Sequence, residues 1–129
     1  MRLLPTVAPL LATLAVACSS PPHSLTTQGD SKSFTVQELT EVVYRKIAEG
    51  ARTCYSRWEV VTDYFPDNKS GRVSMSVKNP YSINSLFMAE IRPSNVGSNV
   101  QVYYLKGNPV FAEAVEKWAH EDYTACPFV

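Results

Sequence analysis

The sequence predicts an α+β domain of two layers, a four-stranded antiparallel meander flanked by an N-terminal and a C-terminal helix (α-β-β-β-β-α). Three observations predict it. Apolar residues recur at helical spacing between Val36 and Ile47, and again between Phe111 and Trp118. Between these stretches, four segments alternate with period two. The connections between the four are short and rich in turn-forming residues, which favours antiparallel neighbours and one buried face.

The first helix is expected from Thr35. "TVQE" (residues 35–38) has the spacing of a capping box, in which a hydroxyl and a carboxylate satisfy each other's backbone amides. Val36, Leu39, Val43 and Ile47 then share one face, while Gln37, Glu41, Arg45 and Glu49 face water. Gly50 marks the expected end of this helix, or a weak point in it.

In "YSRWEVVTDYF" (residues 55–65), Trp58, Val60, Thr62 and Tyr64 alternate against Arg57, Glu59, Val61 and Asp63. "PDNKSG" (66–71) is a turn by composition. Val73, Met75 and Val77 alternate with serines, and Asn79-Pro80 ends that strand. Phe87, Ala89 and Ile91 make a third alternating set. After the turn "PSNVGSN" (93–99), Val100, Val102 and Tyr104 make the fourth. Tyr103, Leu105, Val61 and Met88 are left for the opposite face of the sheet.

The second helix follows "NPVFAEAVEKWAHED" (108–122). Asn108 is a suitable N-cap, Pro109 fits the first helical position, and Phe111, Ala114, Val115 and Trp118 form the apolar stripe.

The N-terminus carries an address. Arg2 precedes an apolar run, interrupted by Pro5, Thr6, Pro9 and Thr13, that is too short to span a bilayer, and "LATLAVACSS" (11–20) ends it abruptly at Cys18. Ala15-Val16-Ala17 supplies small side chains before a cut, and Cys18 supplies a thiol after it. This junction resembles a bacterial lipobox, with Ala15 where leucine is more usual. The resemblance implies a signal peptide over residues 1–17 and a diacylglycerol on Cys18, usually with a second acylation of the freed amine. Two or more acyl chains anchor a protein stably, where one does so only marginally. In such lipoproteins an aspartate after the cysteine favours inner-membrane retention, so Ser19 implies the outer membrane; the domain is expected to face the periplasm, although the sequence does not distinguish that from the cell surface. Residues 18–33 are too polar to bury much apolar surface and are expected to be a flexible tether. A single domain then covers residues 34–129.

Two cysteines remain in that domain, Cys54 and Cys126. An exported domain meets an oxidising compartment, where a thiol pair is more often a disulfide than a metal site. No CxxC spacing or histidine cluster supports a metal, and none is expected.

Composition narrows the function. Loss of residues 1–17 removes one charge, Arg2, leaving 11 basic and 12 acidic side chains. That balance gives no electrostatic basis for binding nucleic acid. His120-Glu121-Asp122 is the one dense titratable group, and its place at the end of a helix suits capping and the helix dipole. No Gly-x-Ser-x-Gly elbow, phosphate-cradling glycine pattern or complete calcium loop is present. Neither catalysis nor a cofactor is expected.

Binding is the better expectation. Tyr55, Tyr81, Tyr103 and Tyr123 fall near strand ends or turns, and tyrosine buries area while keeping a hydroxyl to pair. It is also a good strand former, which accounts for tyrosines without any partner. "RTCY" (52–55) and "WAHEDYTACP" (118–127), with Cys18, resemble small, uncharacterised proteobacterial lipoproteins. That resemblance implies a location and no activity. The expected role is therefore non-catalytic: an outer-membrane lipoprotein, held through Cys18, that binds an envelope protein or supports envelope integrity. An inhibitor or immunity protein against a periplasmic hydrolase or toxin, and a small-ligand carrier, are the alternatives.

Overall fold

Five strands, rather than four, find partners among the described residues. The computed structural model describes residues 21–56, 58–124 and 126; the signal peptide and Cys18 lie outside them. Strands β1 (Asp30–Val36), β2 (Glu59–Phe65), β3 (Ser70–Asn79), β4 (Ser82–Ser94) and β5 (Gly97–Tyr104) form one antiparallel sheet in the order β1-β5-β4-β3-β2. Helices α1 (Pro21–Gln28), α2 (Thr40–Cys54) and α3 (Val110–Ala119) complete the fold. The α+β class and the β2–β5 meander agree with the sequence, but the strand count does not.

The discrepancy lies at residues 21–39. The segment assigned to a flexible tether contains α1 and the start of β1, so the ordered domain begins before residue 34. Thr35, taken as a helix cap, pairs with Asn99 inside β1, and α2 starts at Thr40 behind Leu39 without a side-chain cap. Val36 fits the helical stripe by coincidence. It is buried in the sheet layer, whereas Leu39, on the same imagined face, is 76 % exposed. β1 is an edge strand whose buried or half-buried apolar side chains are Phe34 and Val36, too few for a recognisable period-two pattern. Long-range contacts fix it instead. Lys32 pairs with Glu116 of α3 at 2.7 Å, and the Ser98 hydroxyl of β5 donates to the Glu38 carbonyl at 2.7 Å. The Lys46 ammonium, held above its ordinary pKa by hydrogen bonds to Glu38 and Glu121, ties α2 to the end of α3.

The core lies between α2 and α3 on one side and the inward faces of the strands on the other. Val43, Ile47 and Ala51 of α2 meet Phe111, Val115 and Trp118 of α3 over Val73, Met75, Phe87, Ala89, Ile91, Val100 and Val102. Gly50 does not end the helix: α2 continues one more turn, to Cys54. There the Cys54–Cys126 disulfide forms, with Cα atoms 5.2 Å apart.

The other face of the sheet is partly covered. Leu25 and Met88 are both buried, yet neither belongs to the main core. Met88 alternates with Phe87 and Ala89, so it projects to the opposite side, where α1 packs against β4. Val61 and Phe65 on the β2 edge remain substantially exposed.

Candidate functional site

β3 and β4 are the longest strands, and they outrun their neighbours. β2 pairs with β3 only as far as Ser76, and β5 pairs with β4 only from Phe87 onward. The remaining ribbon, residues 77–84, pairs only with itself within the sheet and projects roughly 10 Å beyond it, at about 3.3 Å per residue. A bulge lies at its base: Met75 faces Phe87 and Ser76 faces Ser85, leaving Leu86 as the extra residue. Bulges bend a strand and raise its twist, which re-aims whatever follows. The Leu86 carbonyl accepts a hydrogen bond from the Leu105 amide just past β5, and the Ser76 and Ser85 hydroxyls lie 3.4 Å apart. These contacts anchor a two-stranded ribbon that would be marginal on its own.

The tip is a two-residue turn, Pro80-Tyr81, between Asn79 and Ser82. Proline supplies the fixed φ suited to the first corner of such a turn, and asparagine is favoured just before it. Tyr81 is 97 % exposed, and Lys78, Pro80 and Asn84 are exposed beside it. Residues 74–85 hold four serines, two asparagines, one tyrosine and a single charge, Lys78. This is the composition of recognition loops: tyrosine gives contact area at small entropic cost, while serine and asparagine adapt their hydrogen bonds.

The four tyrosines singled out from sequence do not form one surface. Tyr55 is corrected outright. It is 3 % exposed, stacked on Trp58 with ring centroids 5.0 Å apart and edge-on to Trp118, and burial pushes its phenol up to about 12. Tyr103 is half-buried on β5 opposite Met88. Tyr123 is half-buried beyond α3, with its carbonyl 3.9 Å from both disulfide sulfurs; burial chiefly raises its phenol pKa. Tyr81 alone stands at a projecting point.

His120 is the exposed C-cap residue of α3, its amide bonded to the Lys117 carbonyl. Asp122 is held below its ordinary pKa, first by the Thr124 hydroxyl and then by the Thr124 amide. Among the described residues no group of three or more potential metal ligands is assembled, and no helix is long and apolar enough to cross a membrane.

Sequence reasoning placed Tyr81 near a turn but missed the projection, because strand overhang depends on where the neighbouring strands stop. The near absence of charge over residues 74–85 was the available signal. Set against known proteins, the chain matches no family model, no curated protein and no solved structure.

Proposed function

We propose that this protein is an outer-membrane lipoprotein, anchored through Cys18, whose domain binds another envelope protein through the β3–β4 hairpin. The observation that carries the reading is the overhang itself: a turn bearing a fully presented tyrosine, set on a bulged and anchored base. The lipobox-like junction at Cys18 and the paired cysteines support an exported setting. In that setting the domain faces the periplasm, and its near-neutral charge leaves contact area rather than electrostatic steering to drive association.

The test is crosslinking from native membranes with a photo-reactive residue at position 81, followed by mass spectrometry. A discrete envelope protein captured at position 81 and lost with Y81A or C18A supports the reading. Identical capture from a probe at His120, the exposed residue that ends α3, counts against it.

A second reading, inhibition of a periplasmic hydrolase or toxin, is favoured by the shape of the same element. A two-stranded ribbon ending in one aromatic residue is narrow enough to enter an enzyme cleft. Loss of a captured enzyme's activity on mixing, restored by Y81A, would select it.

A further inference from the structure

The opposite end of the same strands holds a second feature. Phe65 at the end of β2, Arg72 on β3, and Glu90 and Arg92 on β4 share the face of the sheet away from α2 and α3. With Asn68 of the β2–β3 turn and Ser70 at the start of β3 they line a groove of about 570 Å³. That volume lies within the range of small-molecule sites.

Its charges are unevenly matched. The Glu90 side chain is only 15 % exposed and accepts a hydrogen bond from Arg92 at 2.8 Å. Arg72 reaches the other Glu90 oxygen at 3.8 Å, an ion contact too long for a hydrogen bond. Its guanidinium lies over the Phe65 ring, 5.8 Å from the centroid. Asp63 stands opposite Arg72 in the β2–β3 register but is not within ion-pair distance of it. Among the described residues, no side chain accepts a hydrogen bond from the Arg72 guanidinium. Two guanidiniums therefore flank one carboxylate, and one of them presents unused N–H groups beside an exposed aromatic ring.

A guanidinium fork matches a carboxylate in two parallel hydrogen bonds, and the ring offers an apolar wall next to it. We propose that this groove binds an organic carboxylate carrying an apolar substituent, the acid held by Arg72 with help from Arg92 and the substituent resting on Phe65. The source could be a free small acid or the C-terminus of a polypeptide, since both present the same group. The proposal is independent of the hairpin, seven residues along β3 from Arg72, or roughly 23 Å.

Calorimetry and amide-shift mapping on the purified full-length chain in detergent test it, with N-acetylphenylalanine and N-acetylphenylalaninamide as probes. The acid is expected to bind at least about tenfold tighter than the amide, as charge-assisted hydrogen bonds are lost on amidation. R72Q should remove that preference, R72K should retain part of it, and F65A should weaken acid and amide alike. Should R72Q fail to fold, R72K and R92Q still read the same preference. A peptide ending in phenylalanine that binds a further tenfold tighter identifies a polypeptide end as the source, whereas equal binding identifies a small acid. Acid and amide binding equally, or a preference unchanged in folded R72Q or R72K, overturns the proposal.

Discussion

A Cβ built on Gly50 would lie 2.2 Å from Cγ of Trp118, so α2 gives up a side chain in order to seat the indole of α3. Trp118 is fully buried, and its ring also neighbours Phe87 and Tyr55. In an isolated helix, glycine to alanine would gain about 1 kcal/mol. Here the close approach reverses the sign. G50A is expected to destabilise the domain by roughly 1–3 kcal/mol, the usual cost of overpacking. Urea unfolding followed by tryptophan fluorescence checks it; a variant more stable than wild type would show that the indole moves aside freely.

The disulfide closes a separation of 72 residues and joins the last turn of α2 to the segment beyond α3. The chain-entropy model assigns such a loop roughly 4 kcal/mol. C54A/C126A is expected to lose most of that, and a reducing agent should lower the denaturation midpoint of the wild type but not of the double variant.

Alkaline pH should expose Tyr55. Its phenol titrates at about 12 in the folded chain, against 10.0 when unperturbed, because burial disfavours the phenolate. The folded pKa is raised, so the stabilising contribution is complete below pH 10 and is lost as pH climbs from 10 to 12. Two units correspond to roughly 2.7 kcal/mol. Stability measured between pH 9 and 12 should fall less steeply in Y55F than in wild type. Parallel slopes would exclude Tyr55 as the source.

Tyr81 should separate binding from folding. Because the residue is 97 % exposed, Y81A is expected to change stability by no more than about 0.5 kcal/mol. Loss of an aromatic anchor at an interface costs about 2 kcal/mol or more, roughly 30-fold in affinity. Thermal melting beside the crosslinking yield reads both; a Tyr81 variant that captures its partner as well as wild type would remove the hairpin from the interface.

Much of this fold was legible because burial imposed a period. Phe111, Ala114, Val115 and Trp118 are buried as their spacing predicted, as are Val43 and Ile47, and the inward sets run as read at Val73, Met75, Phe87, Ala89, Ile91, Val100 and Val102, whereas Trp58 lies ahead of β2 and is 37 % exposed and Val77 stands on the overhang. β1 was not legible, since an edge strand closed by a partner more than sixty residues away needs few apolar side chains of its own. Gly50 was misread because its cause is a tryptophan on another helix. Tyr55 was misread because position near a strand end or turn says nothing about what packs over it. The hairpin and the arginine groove share this limitation, as each depends on strand register.

The strand order also dictates a sequence of events. β2 to β5 join neighbours by turns of two to four residues, so the meander assembles from local contacts as the chain emerges. Among the described residues β1, made first of the strands, has its only sheet partner in β5, made last. Cys54 likewise waits for Cys126, 72 positions further along. A chain delivered N-terminus first must therefore hold β1 unpaired until β5 has arrived, leaving β1 and the β4 edge open to other strands. Aggregation or chaperone capture during synthesis should thus respond to changes in residues 97–104, which close that edge, more than to equally destabilising changes in α2.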